Sequence, residues 1–150
     1  MRWVTAGLAA LAMVAVGGCS DDEAVAPEVL CTDEITSVDV TVSGGTNPTV
    51  SWSPACDVAM FLVEGEGGDV WLVSTDDDNW DDPARSNRIS PPVRYGVVPS
   101  GVDELWGPEA LEAGSPYQVV LWRVQPTGVT GGCAIAFEGA CALAIESFTP

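Results

Sequence analysis

Leu111-Glu112-Ala113-Gly114-Ser115-Pro116-Tyr117-Gln118-Val119-Val120-Leu121-Trp122-Arg123-Val124 changes character halfway along. Its first half carries turn chemistry. Gly114 is free to take positive φ, Ser115 competes for backbone groups and Pro116 fixes φ. From Tyr117 the pattern has period two. Tyr117, Val119 and Leu121 share one face, while Gln118, Val120 and Trp122 share the other. A turn that opens directly into a strand is expected, and the strand reads on to Gln125.

Moving outward from that strand, the chain offers more of the same kind. Ile35–Ser43 alternates Val38, Val40 and Val42 with polar residues, and Gly44-Gly45 turns it into Thr49–Ser53, where Val50 and Trp52 share a face. Val58–Glu64 and Val70–Thr75 flank the glycine-rich Gly65–Asp69 and read as a hairpin. Val93–Val98 and Cys141–Phe148 complete a set of about seven short strands. Sixteen Gly and eleven Pro fit strands joined by turns better than helices.

The spacing Leu111-x-Ala113-Gly114-Ser115-x-Tyr117 resembles the tyrosine corner of fibronectin type III domains. Trp52, in the setting Thr49-Val50-Ser51-Trp52-Ser53-Pro54, is similar to the tryptophan those domains carry in their second strand. Ala113 stands where that family usually has Pro, and Ser115 where it has Thr. The resemblance implies an all-β fold, a single antiparallel β-sandwich of fibronectin type III-like or immunoglobulin-like kind. In it the Tyr117 hydroxyl bonds to backbone upstream and Trp52 fills the space between the sheets. Residues 31–150 exceed the roughly one hundred residues such a domain needs, and the excess falls in an insertion over 76–110. On that topology Val120, Trp122 and Val124 point away from the core. An apolar outer face needs cover, either from 76–110 or from a partner.

The chain's start supplies its location. Met1-Arg2 is followed by an apolar run from Trp3 to Val16 with no acidic residue. That run is shorter than the ~20 residues of a membrane-spanning helix, so it reads as a signal peptide. Val16-Gly17-Gly18-Cys19 resembles a bacterial lipobox, with Val where Leu is usual, which implies removal of residues 1–18 and lipidation of Cys19. Ser20 after the cysteine, rather than Asp, implies retention in the outer membrane of a Gram-negative envelope. Residues 19–30, with four acids between Ser20 and Leu30 and no periodicity, form a solvated tether to the domain at 31–150.

Four cysteines remain beyond Cys19: Cys31, Cys56, Cys133 and Cys141. An even set in an exported chain reads as two disulfides. Zinc would use the same thiols, but the chain has no His and no C-x-x-C pair. The sandwich topology favours Cys31–Cys56 with Cys133–Cys141. Its first strand leaves one pole and its second returns there, while Cys133 opens from that pole too, so all three pairings remain geometrically open.

Composition narrows the function. Against 22 acidic residues stand five Arg and no Lys, a formal net charge of −17. Such a surface repels nucleic acid and anionic lipid. Without His, the commonest general base and metal ligand is missing. No G-x-S-x-G elbow accompanies the serines, and Glu64 with Glu66 is a carboxylate pair among many on an acidic chain. Asp76, Asp78 and Asp82 supply oxygens of the kind calcium takes, but Trp80 and Asp81 break the loop pattern that holds it. No catalytic residue, metal or cofactor is therefore assigned. The expectation is a non-catalytic binding or structural domain, anchored to the membrane by its lipid and facing an envelope protein or a glycan. Trp80 and Trp106, aromatic residues in polar segments rich in Pro and Gly, are the candidate binding residues. A carbohydrate or small-ligand binder using those aromatics is the alternative.

Overall fold

Short runs of Val, Ile, Thr and aromatic residues, cut by Gly, Pro and Asp, fold here as strands and turns. The computed structural model describes residues 31, 34–75, 82–125, 133, 135–137 and 139–150. Along the chain come β1 (Asp39–Ser43), β2 (Thr49–Ser53), β3 (Met60–Gly65), β4 (Gly68–Ser74) and one helical turn, α1 (Pro83–Ser86). They are followed by β5 (Val93–Arg94), β6 (Asp103–Trp106), β7 (Tyr117–Val124), β8 (Ile135–Phe137) and β9 (Ala140–Phe148). Two antiparallel sheets result, a small one ordered β1-β2-β5 and a large one ordered β6-β4-β3-β7-β9-β8.

The sheets share one core, which makes the fold a β-sandwich. Val50, Trp52 and Val93 of the small sheet meet Phe61, Val63, Trp71, Val73, Val119, Leu121 and Leu143 of the large one. Trp71 is fully buried and takes Phe61 and Tyr95 edge-on, at centroid distances of 5.4 and 5.1 Å. Trp52 fills the core as its resemblance implies, and its Nε1 donates to the Cys56 carbonyl at 2.7 Å. An indole N–H needs such a partner when buried, and this one also pins the segment leaving β2.

The corner at Tyr117 is formed. Gly114 takes φ +84°, and the Glu112 backbone N–H donates to the Tyr117 hydroxyl at 2.9 Å. Leu111 is buried beneath the turn, and the Tyr117 ring stacks on Phe148 at 5.7 Å. The turn thus fixes where β7 enters the sheet, and β7 lies between β3 and β9 at its centre.

Two disulfides close the chain, Cys31–Cys56 and Cys133–Cys141, with Cα separations of 4.8 and 5.2 Å. The first joins the segment ahead of β1 to the loop between β2 and β3, and the second braces the β8–β9 hairpin. Loops of 25 and 8 residues correspond to about 3.5 and 2.5 kcal/mol of lost unfolded-state entropy.

The outer face of the large sheet is where the observed fold adds most to the sequence. Leu62, Val120 and Ala142 form a separate buried cluster there, with Leu72 and Trp122 packed against it. Strict alternation in β7 stops at Leu121/Trp122, where the register with β9 shifts and Leu143 becomes an extra residue opposite. Val124 is buried, not exposed on the outer face, and its N–H donates to the Asn87 side-chain oxygen at 3.0 Å. Asn87 Nδ2 returns a bond to the Val124 carbonyl at 3.3 Å. The 76–110 region therefore does reach β7, but by way of α1 and Asn87, at the Val124 end. Elsewhere in that region β5 completes the small sheet and β6 adds an edge to the large one.

Candidate functional site

Of the two candidate aromatics, Trp106 lies in β6 and Trp80 lies outside the described residues, as does Cys19. β6 is an edge strand, and all four of its residues are exposed. It is held by pairing with β4, where Leu72 faces Trp106, Val73 faces Glu104 and Ser74 faces Asp103. Leu105 has no partner of its own, so the strand bulges there. Leu105 and Trp106 are 50% and 54% exposed, an unusual pair for large apolar residues on one short strand.

Three local contacts make this edge rigid. Buried Trp71 donates its Nε1–H to Glu104 Oε1 at 2.8 Å, tying the strand to the core. Gly107 ends the strand at φ +81°, and a Cβ there would run into the Val70 carbonyl oxygen. Only glycine permits that approach. The backbone then continues along β4, with the Glu109 N–H donating to Val70 O at 2.9 Å. Finally, the Tyr95 hydroxyl donates to the Glu109 carbonyl at 2.6 Å. Burial first, then the neighbouring Tyr117 and the Glu109 carboxylate, push the Tyr95 phenol up to about 12, so it stays a donor throughout the physiological range.

Trp106 walls a groove of about 300 Å³ whose other sides include Glu66, Asp69, Glu109, Glu112 and Pro116. A neighbouring cavity of about 450 Å³ shares Gly65, Glu66, Pro116 and Tyr117 with it and adds Glu64, Gln118 and Ser147. The two run together around the corner turn. The carboxylates Glu64 and Glu66 thus line a shared acidic surface, and no His, Lys or thiol stands beside them to act as a proton partner. Among the described residues no cluster of His, Cys, Asp and Glu is arranged to hold a metal ion.

The other tryptophans among the described residues have different settings. Trp52 and Trp71 are core, and Trp122 is half-buried on the outer face of the large sheet. Sequence reasoning named Trp106 but missed its setting. Glu109 and Glu112 precede the corner, Glu66 sits on the β3–β4 turn and Asp69 opens β4 just beyond it. Only the pairing of β4 with β6 brings the two turns together. A cluster of acids on turns flanking strands was the available signal. No protein-family model, curated protein or solved structure matches this chain.

Proposed function

We propose that this is an exported, lipid-anchored envelope protein, held in the membrane through Cys19. Its fibronectin type III-like sandwich then acts as a non-catalytic binding domain rather than as an enzyme. The observation that carries the reading is the exposed indole of Trp106 on a rigid edge, set in a groove lined by Glu66, Asp69, Glu109 and Glu112. A large exposed aromatic costs solubility unless something covers it, and a surrounding ring of acids selects what does. The partner class is therefore basic. Its encounter is fast at low ionic strength and slows as salt screens the field. The flat indole face beside acceptor carboxylates also suits a sugar ring, which keeps a glycan as the second reading.

The export signal and the two disulfides support an oxidising compartment, where the Cys31–Cys56 and Cys133–Cys141 bonds persist. Labelling with a radioactive fatty acid tests the anchor. Label is expected on the parent chain, and Cys19→Ala is expected to carry none and to leave the membrane fraction. Poly-lysine binding followed by tryptophan fluorescence tests the surface. Trp106→Ala is expected to weaken it at least about tenfold, a loss in the range of a hot-spot residue. Trp122→Ala should leave it unchanged. Equal affinities for the parent and Trp106→Ala would place binding elsewhere, and saturable binding of an oligosaccharide by the parent alone would favour the glycan.

A further inference from the structure

We propose that β6 accepts an extended cationic polypeptide segment as an added strand of the large sheet, with basic side chains meeting Asp103, Glu104 and Asp69 and apolar ones continuing the sheet's outer face. This rests on the binding reading above and adds how the partner is held.

The first ground is the edge itself. β6 ends the large sheet, and among the described residues no strand pairs with its far side. A terminal strand presents unpaired N–H and C=O groups, which is the template used in strand addition. The second ground is a single rung of the sheet. Pairing aligns Trp106 with Leu72, Leu72 with Leu62, Leu62 with Val120 and Val120 with Ile145. One apolar row therefore crosses five strands, and at the β6 end it finishes on an exposed indole. An added strand supplies the next member of that row, and Leu105 beside it widens the contact.

Charge decides the occupant. The edge offers Asp103 and Glu104, both exposed, and exposed Asp69 lies near the start of the adjoining strand β4. A second copy would bring the same acids against themselves from a chain of net charge −17, and like charges opposite one another across a ladder are destabilising. Shortness, a bulge and the following Gly107-Pro108 further disfavour casual pairing with neutral edges. Asp103 and Glu104 are consecutive and so lie on opposite faces of the strand, and a segment carrying Lys or Arg on both faces turns the same acids from a barrier into a selection.

The test uses the full-length chain in detergent and two peptides. One is a seven-residue peptide in which Lys and Val both occur on each face of the extended strand, blocked at both ends. The other is the same peptide N-methylated at alternate backbone nitrogens, which keeps charge and side chains but cannot complete a ladder. Titrations are followed by amide NMR and by hydrogen exchange. The unmodified peptide is expected to protect β6 amides. The methylated one is expected to bind at least about tenfold more weakly, the loss of one or two backbone hydrogen bonds. Asp103→Lys, at an exposed position, should weaken the Lys peptide and admit its Glu counterpart. Equal binding of both peptides overturns strand addition, as does failure of the Lys peptide to bind or protection confined to residues away from β6. If methylation has no effect while Trp106→Ala abolishes binding, only this inference falls. If neither change matters, the proposed binding surface falls with it.

Discussion

The two sheets of the sandwich treat their outer faces in opposite ways. In the small sheet Thr41, Ser51 and Ser53 point outward and are exposed, while Val50 and Trp52 point inward and are buried. This is the clean alternation of a sheet with one face in water. In the large sheet Val119 and Leu121 are buried on the inner face, yet Val120 and Leu62 are buried on the outer one. A strand apolar on both sides belongs in the middle of something. Among the described residues, then, the small sheet keeps its outer face polar and exposed, whereas the large sheet carries a second, thinner apolar layer that reaches the exposed edge at Trp106.

Four measurements test that contrast. Leu121→Ala, which empties the inner face of β7, is expected to cost about 2–5 kcal/mol in urea unfolding. Its neighbour Val120→Thr probes the outer face and should cost about 1–2 kcal/mol, the desolvation of one hydroxyl in a thin apolar layer. A cost equal to that of Leu121→Ala would mean that both faces are full core and the contrast is false. Tyr117→Phe orphans the Glu112 N–H and should lower stability by about 1 kcal/mol, because Glu112 sits at the surface where water partly replaces the hydroxyl. Trp106→Ala closes the series with less than about 0.5 kcal/mol, as for an exposed side chain outside the core. A large loss there would make Trp106 a packing residue, not a binding one.

Alkaline titration adds a separate check on the inner core. The Tyr95 phenol is raised from 10.0 to about 12 in the folded chain, so above pH 10 the unfolded chain releases a proton that the folded one keeps. Its contribution to stability is whole below pH 10 and is lost as pH rises through about 12. Tyr95→Phe should flatten that part of the pH–stability curve, and an unchanged slope would remove Tyr95 from the account.

Much of the sandwich was legible because local chemistry and periodicity agreed. Gly114 and Pro116 mark a turn, Tyr117 to Leu121 alternate, and Trp52 follows Val50 at the spacing of a buried face. The observed pairing of Cys31 with Cys56 and Cys133 with Cys141 is the one the sandwich topology favoured among the three that were open. β6 was not legible. Asp103-Glu104-Leu105-Trp106 has no period of two and starts with two poor strand formers, so its strand state comes from Leu72 to Ser74 alongside. The burial of Val124 was equally hidden, since Asn87, which bonds both its N–H and its carbonyl, lies 37 residues away in sequence. For the site, the aromatic Trp106 could be named, but the acids around it could not be grouped before the turns were placed in space.

The Cys31–Cys56 bond has a mechanical consequence. A pull applied through residues ahead of Cys31 passes at that point across the sulfur bridge to Cys56, and from there toward β3. The whole of β1 and β2 lies on a closed side loop that carries no tension. Stretching the oxidised protein between its ends should therefore yield a contour length short by about 25 residues across this bond and about 8 more across Cys133–Cys141, each worth about 3.3–3.6 Å of extended chain. Reduction should restore it. On the proposed anchoring through Cys19, load arriving from the anchor would be borne first by the large sheet, while β1 and β2 stay slack.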